Sequence, residues 1–272
     1  MIQSDEVDDI IAAAHAAADA ARGAILPYFR LSSLDVDDKH APGAQSEGTF
    51  DPVTAADRAA EQAMRAVLAR LRPADAILGE EFGEAGGTSG LTWVLDPIDG
   101  TRGFLAGTPT WGVLMAVCGP EGPIYGVIDQ PYIGERFEGG LGRARLTGPA
   151  GQRSLAARGA RPLAEATVMT TFPAVGTPAE GAAFARIADA ARTVRYGYDC
   201  YAYALLALGL IDLVIEAGLK PYDICAPIAV IEAAGGIVTD WRGGPAHHGG
   251  RIVAAANAAQ HRAALEILSQ VA

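Results

Sequence analysis

The segment WVLDPIDGT, residues 93–101, has the residue types and spacing to hold a cation beside an anion. An apolar run leads directly into Asp96 and Asp99, two carboxylates three residues apart. Pro97 is predicted to break the strand, so that Asp96 lies at its end and Asp99 projects from the turn that follows. Mg²⁺ prefers carboxylate oxygens of this kind, together with water and phosphate oxygens.

The end of this segment adds groups that can face an anion. Gly100 frees the backbone, and a helix that opens after Thr101 would point its N–H groups back at the turn. Ordinary turn chemistry is the competing interpretation of the segment taken alone. Asp-Pro and Asp-Gly are common in turns, and Asp99 could simply cap a helix.

Three further acids lie at comparable places along the chain. Glu80 follows a short apolar strand in AILGEE, Asp57 follows Thr54 in DPVTAAD, and Asp223 precedes an apolar helical segment in PYDICAPIAVIEAAGG. Thr54-x-x-Asp57 is also a variant of the helix capping box, and Asp223 could be only an N-cap. Each acid alone is weak evidence, whereas the four segments together indicate a metal site.

Hydrophobic periodicity predicts the helices that carry some of these acids. A first helix is predicted from Val7 to Ile25, and a second from Thr54 to Arg70 with Leu71 in its buried stripe. The polar segment from Ser32 to Phe50 is rich in Gly and Pro and is predicted to be a mobile loop.

Strands and helices follow one another differently in the two halves of the chain. LTWVL is predicted to be a buried strand, and two strands are predicted to meet at a turn between Gly119 and Pro123. After about residue 166 strands and helices alternate. The fold class is therefore α+β followed by α/β, with layered sheets and helices. We place the division at residue 150, with a metal-binding subdomain over 1–150 and a substrate-side subdomain over 151–272.

Composition limits the possible partners and location. Half of the 272 residues are hydrophobic and 19% are charged, which is typical of a folded globular protein. The net charge of −11 disfavours nucleic acid and anionic membranes as partners, although bound metal ions would still permit a phosphorylated substrate. Three widely spaced cysteines, with no apolar run of membrane-spanning length and no secretory leader, predict a cytoplasmic protein with buried reduced thiols.

The four acidic segments together resemble the signatures of the inositol monophosphatase family of metal-dependent phosphatases. DPVTAAD, ILGEE, WVLDPIDGTRGF and PYDICAPIAVIEAAGG occur in the family's order, and the resemblance covers nearly the whole chain. It implies the layered αβαβα fold of the sugar phosphatases, two or three Mg²⁺ per active site, a small phosphate ester as substrate and a homodimer.

The resemblance also implies roles for particular residues. The metal ligands would be Glu80, Asp96, Asp99, Asp223 and the backbone carbonyl of Ile98. Glu80 and Thr101 would position the attacking water, and Asp57 would lie behind the metal ligands or hold a metal-bound water. The loop at residues 40–48 would lie near the active-site mouth. Gly100 and Thr101 would offer N–H groups to the phosphate.

The substrate side resembles the histidinol-phosphate phosphatase branch of the family. The matching segments are RYGYDCYAY, DQPYIGERFEG and GYDCYAYALLALG, and Gly197, Asp199 and Glu216 would contact the leaving group. Two acids there suit a cationic alcohol, and Tyr198, Tyr201 or Tyr203 could stack on its imidazole. Asp199 could instead only cap the following helix. The alternatives are an inositol, sugar or nucleotide phosphate substrate, or a non-catalytic phosphate-sensing protein.

Overall fold

The computed structural model describes residues 4–31, 36–38 and 52–271. The helices in these ranges are α1 Ser4–Ile25, α2 Ala55–Leu71, α3 Thr101–Leu105, α4 Pro178–Ala190, α5 Asp199–Ala207, α6 Pro221–Ala233 and α7 Ala258–Leu268. The strands are β1 Val36–Asp38, β2 Pro52–Thr54, β3 Ala76–Gly79, β4 Gly83–Ala85, β5 Thr92–Asp99, β6 Gly112–Gly119, β7 Gly122–Gln130, β8 Glu135–Gly140, β9 Arg143–Gly148, β10 Gly151–Ser154, β11 Thr167–Thr170, β12 Thr193–Tyr196, β13 Leu213–Leu219, β14 Ile237–Asp240 and β15 Gly250–Ala255.

Two large sheets organise the described part of the chain. The first has eight strands in the order β10-β9-β8-β7-β6-β5-β3-β4, and the second has five in the order β12-β11-β13-β15-β14. Within the first sheet β3 and β5 are parallel, while the pairs from β5 to β10 are antiparallel. In the second sheet β11 runs parallel to both of its neighbours.

Helices cover both sheets and make five layers. Helices α1 and α2 share a hydrophobic cluster with one face of the first sheet. Helices α5 and α6 share another with the opposite face of that sheet and with the second sheet. Helices α4 and α7 cover the outer face of the second sheet. This order confirms the predicted layered αβαβα fold, while the division near residue 150 stays a prediction.

The second helix and the turn at residues 119–123 are confirmed, but the prediction of a buried Leu71 is wrong, and the predicted loop from Ser32 to Phe50 is wrong at residues 36–38. Leu71 is the last residue of α2 and is 44% exposed. The segment from Ser32 to Phe50 contains strand β1, which pairs antiparallel with β2. The remaining residues of that segment, 32–35 and 39–50, lie outside the described residues. They include the 40–48 loop.

Two further features concern the cysteines and the helices of the described ranges. Cys118, Cys200 and Cys225 are free thiols, with Cys200 and Cys225 buried and Cys118 half-buried. Within the described ranges, no helix combines the length and the apolar character needed to cross a membrane.

Helix α6 lies unusually close to the first sheet because two strands present glycine to it. A Cβ added at Gly126 of β7 would come 2.5 Å from the carbonyl oxygen of Ala226. A Cβ added at Gly139 of β8 would come 2.5 Å from the Cα of Val230. The helix that carries Asp223 is therefore seated backbone against backbone.

Replacing Gly126 by Ala should force α6 away from the sheet, since the atoms it would meet are backbone. We expect Gly126→Ala to lower the free energy of unfolding by about 1–3 kcal/mol, measured by urea denaturation. Gly119→Ala is the matched control, because a Cβ there meets only the side chain of Ile124 at 3.7 Å. Equal stability of the two variants would contradict this packing.

Candidate active site

An irregularity at the end of β5 brings two carboxylates to one side. Pairing with β6 is regular as far as Asp96 opposite Leu114, then shifts before Asp99 opposite Gly112. The strand thus continues through Pro97, and the prediction that proline ends it is wrong. Such a bulge re-aims side chains that would otherwise point to opposite faces of the sheet.

Strand β3 places Glu80 beside this bulge. Gly79 lies opposite Leu95 in the parallel pair, and the N–H of Glu80 donates to the carbonyl of Leu95 at 3.1 Å. Because the carboxyl ends of parallel strands meet at the same edge, Glu80 follows β3 where Asp96 occurs in β5.

Helix α6 brings the fourth acid from the other side of the sheet. Asp223 lies in the first turn of α6, and its carboxylate accepts the N–H of Lys220 at 2.7 Å. Oxygens of Asp96, Asp99 and Asp223 all lie within 4.8 Å of one another. The N-cap of α6 is Lys220, so the alternative that Asp223 is only an N-cap is wrong. Asp223 is the third residue of the helix, where it accepts the N–H of the N-cap and also joins the carboxylate cluster.

Asp57 connects α2 to the same place. Its carboxylate accepts the N–H and the hydroxyl of Thr54 at 2.8 and 2.6 Å, which completes the capping box. The hydroxyl of Thr101 lies 3.5 Å from the other carboxylate oxygen of Asp57 and 3.1 Å from the carbonyl oxygen of Ile98. The capping interpretation of Asp57 is correct, and Thr101 links that cap to the carboxylate cluster.

Gly100 makes the sharp turn between β5 and α3. Its φ of +84° suits glycine, and a Cβ there would lie 2.7 Å from Cγ of Asp199. Thr101 begins α3, whose first N–H groups have no acceptor within the helix. Gly100 and Thr101 thus border the carboxylate cluster.

The cluster is electrostatically unfavourable without a cation. Burial raises the pKa of Asp96 well above its usual range, and the charges of Glu80, Asp99 and Asp223 raise it further. Burial, followed by Asp199 and Asp223, likewise raises the pKa of Asp99. Converging carboxylate oxygens with raised pKa values fit a hard divalent cation, which would stabilise their charged forms.

A cavity of about 640 Å³ opens over the cluster and extends to the second sheet. The acids that line it are Glu80, Asp96, Asp99, Asp199, Glu216 and Asp223, against the cations Arg102 and Lys220. Gly197 lines it as well. The structure therefore brings the predicted ligand residues and the predicted substrate-side residues to one cavity.

The two substrate-side acids are held by different elements. Glu216 of β13 accepts the N–H of Thr171 at 2.6 Å and the hydroxyl of Thr170 at 3.2 Å, and burial raises its pKa to about 7. Asp199 has a φ of +44° and opens α5, and burial raises its pKa to about 6. Both carboxyls are thus poised to gain or lose charge near neutral pH.

The tyrosines predicted to stack on a substrate ring lie elsewhere. Tyr203 is buried, and the hydroxyl of Tyr201 donates to Glu135 at 2.5 Å. Tyr198 packs against the core between the sheets. The aromatic side chains that line the cavity among the described residues are Phe172 and Tyr222. Phe172 lies two residues after the last residue of β11, and that position just beyond a strand end was its signal in the sequence.

The model of the inositol monophosphatase family matches residues 6–272. The chain belongs to this family. It is 42% identical over 245 residues to the Arabidopsis thaliana protein named bifunctional phosphatase IMPL2, chloroplastic, a match that covers 89% of this chain and 67% of that protein. It is 32% identical over 278 residues to the Streptomyces coelicolor histidinol-phosphatase, covering 98% of each.

Solved structures support the same family. An inositol monophosphatase from Zymomonas mobilis superposes with a TM-score of 0.82 at 38% identity, covering 96% of this chain and 98% of that one. The resemblance inferred from the four acidic segments is confirmed, and the protein is an inositol monophosphatase family phosphatase. The names of its relatives include both histidinol and inositol phosphatases, so they leave the substrate open.

Magnesium should stabilise this family member more strongly at higher pH. In the metal-free protein, burial raises the pKa of Asp223 to about 7. The folded state therefore keeps a proton that the unfolded chain releases at about pH 4. Metal-free stability should therefore fall as pH rises from about 4 to about 7. Bound Mg²⁺ would offset that loss, so the Mg²⁺-induced rise in melting temperature should be larger at pH 8 than at pH 5.

Substitution separates this effect from general salt effects. Asp96→Asn should lose most of the Mg²⁺-induced rise at pH 8, measured by differential scanning fluorimetry. Asp189→Asn removes an exposed acid of α4 and should keep it. An Asp96→Asn protein that gains as much as the wild type would show that Mg²⁺ binds elsewhere.

Proposed function

We propose that this protein is a Mg²⁺-dependent phosphate monoester hydrolase that acts on L-histidinol phosphate. The observation that carries the proposal is one cavity that joins a carboxylate cluster to a second acidic group, Asp199 and Glu216. The first group suits metal ions that bind the phosphate, and the second suits a cationic leaving group. Asp199 and Glu216 are not among the proposed metal ligands, so their carboxylates stay available to a leaving group that carries positive charge.

The metal would be held by the carboxylates of Glu80, Asp96, Asp99 and Asp223 and by the backbone carbonyl of Ile98. The four carboxylates would balance the charge of two Mg²⁺. A third ion fits the family's pattern. When bound, Mg²⁺ supplies Lewis acidity to the phosphate and lowers the pKa of water at the site. That electrostatic help is needed because phosphate monoester hydrolysis is among the slowest uncatalysed biological reactions.

The remaining groups orient the attacking water and the phosphate. The hydroxyl of Thr101 donates to the Ile98 carbonyl or to Asp57, which leaves its lone pairs to accept a hydrogen bond from the water. Glu80, beside Asp96, would take the proton that the water releases. The N–H groups of Gly100 and Thr101 would donate to the phosphate oxygens at the start of α3.

The leaving group would lie between the two substrate-side acids. L-histidinol carries an ammonium group, which forms charge-assisted hydrogen bonds with carboxylates such as Asp199 and Glu216. Phe172 is 67% exposed at the same cavity and offers an aromatic face to an imidazole. Gly197, with a φ of +77° and open space at its Cβ position, leaves room beside Asp199.

Inositol 1-phosphate, or another sugar or nucleotide phosphate, is the alternative substrate. It is favoured by the relative from Caulobacter vibrioides named inositol-1-monophosphatase, which is 32% identical over 230 residues. A polyol hydroxyl can donate to Glu216 as well as an ammonium can. The charge of Asp199 distinguishes the two substrates, since inositol offers no cation to pair with it.

The resemblance to histidinol-phosphate phosphatases also supports a cytoplasmic role in histidine synthesis and a homodimer. The net charge of −11 supports partners other than nucleic acid and anionic membranes. These are proposals about the cellular protein and do not affect the chemistry above.

The substrate proposal predicts a substrate-dependent effect of one charge. Asp199→Asn should lower kcat/KM for L-histidinol phosphate roughly 10–100-fold, the range for losing a charged hydrogen bond. It should change kcat/KM for myo-inositol 1-phosphate far less, because that substrate brings no ammonium. Asn tolerates the left-handed backbone that Asp199 adopts, so the substitution preserves the local fold.

Phosphate release from both esters, with and without Mg²⁺, measures these effects, and Asp189→Asn is the control for a lost surface charge. A wild-type preference for myo-inositol 1-phosphate would overturn the substrate proposal. Undiminished hydrolysis in the presence of a strong chelator would overturn the metal-dependent mechanism.

A further inference from the structure

Glu61 is a fully buried carboxylate of α2 that lies outside the cavity. Its two oxygens accept backbone N–H groups from the turn between β3 and β4, residues 80–82. Glu81 N lies 2.7 Å from one oxygen and Phe82 N lies 3.2 Å from the other. These are the two residues that immediately follow Glu80.

Arg65, one helical turn further along α2, completes the contact. Its Nε donates to Glu61 at 2.7 Å, which pairs the buried charge. The same guanidinium donates to the carbonyl oxygen of Gly83 and lies 6.0 Å from the ring centroid of Phe82. Glu61 thus binds the N–H groups of the turn, and Arg65 binds the carbonyl oxygen of Gly83 that follows it.

These contacts require glycine just before Glu80. A Cβ added at Gly79 would lie 2.0 Å from Oε1 of Glu61 and 2.8 Å from a guanidinium nitrogen of Arg65. The backbone of Glu80 is therefore fixed on both sides: its own N–H is bonded to Leu95 of β5, and the next two N–H groups are bonded to α2.

We propose that Glu61 is a positioning residue that holds Glu80 against the carboxylate cluster and so sets the affinity for divalent cations. Glu80 and Glu81 of this turn are half-buried, and Phe82 is 50% exposed. Without Glu61, ordering the Glu80 side chain would have to be achieved at the moment of metal binding, which weakens that binding. The inference rests on the proposed role of Glu80 as a metal ligand.

The sequence marks Glu61 as an unusual acid, but only the structure shows what this acid contacts. Asp57, Glu61, Met64 and Leu68 follow the spacing of one helix face, so an acid interrupts the apolar face of α2. A buried acid on such a face needs hydrogen-bond partners, and here the partners belong to the turn that follows Glu80.

Mn²⁺ binding to the purified full-length protein, followed by the electron paramagnetic resonance signal of free Mn²⁺, tests the inference without relying on turnover. Glu61→Gln keeps the shape but loses at least one acceptor, and we expect its dissociation constant for Mn²⁺ to rise roughly 10-fold or more. Arg65→Lys should raise it less, since Glu61 keeps a cationic partner and both N–H bonds. Arg65→Lys also serves if Glu61→Gln does not fold.

Asp75→Asn is the matched control. Asp75 is a buried acid that pairs with Arg72 and accepts the indole N–H of Trp93, but it does not contact the turn at residues 80–82. Its loss should lower stability while leaving Mn²⁺ affinity unchanged. Wild-type affinity in both Glu61→Gln and Arg65→Lys, or an equal loss in Asp75→Asn, would overturn the positioning role. Absence of Mn²⁺ binding by the wild type would instead refute the proposed metal site.

Discussion

Mutual repulsion among buried and half-buried carboxylates is the constraint around which this protein is arranged. Asp96, Asp99 and Asp223 bring oxygens within 4.8 Å of one another, in a place where burial already disfavours charge. A polypeptide holds such a group together only if other interactions fix each acid. Each of the three accepts a backbone N–H: Asp96 from Ile98, Asp99 from Cys200 and Asp223 from Lys220.

Those donors belong to three different elements, so the cluster depends on the whole layered fold. Ile98 lies in the bulge of β5, Cys200 in α5, and Lys220 just before α6. Both helices lie between the two sheets, and α6 is seated against the first sheet through glycine positions of β7 and β8. Acids that lie far apart along the chain are thus close together at the end of β5. The cavity over them extends to Glu216 of the second sheet.

The sequence was sufficient for the acids and for most elements, since the acids follow strands or open helices and periodicity marks those elements. It failed where tertiary pairing decides. Pro97 does not end β5, because a bulge accommodates it without regular pairing to β6. Tyr201 and Tyr203 turn toward the protein interior, which their spacing alone could not reveal. Strand β1 lies in a segment whose composition predicts a loop, and β12 pairs with β11 without a strong apolar pattern. The role of Glu61 could not be predicted either, because it depends on a turn that is distant along the chain.

The central claim is that these acids together hold divalent cations. A crystal of the protein grown with Mn²⁺, examined for anomalous scattering, tests it most directly. Anomalous density is expected among the carboxylates of Glu80, Asp96, Asp99 and Asp223. Density confined to other parts of the surface, with these side chains left bare, would contradict it.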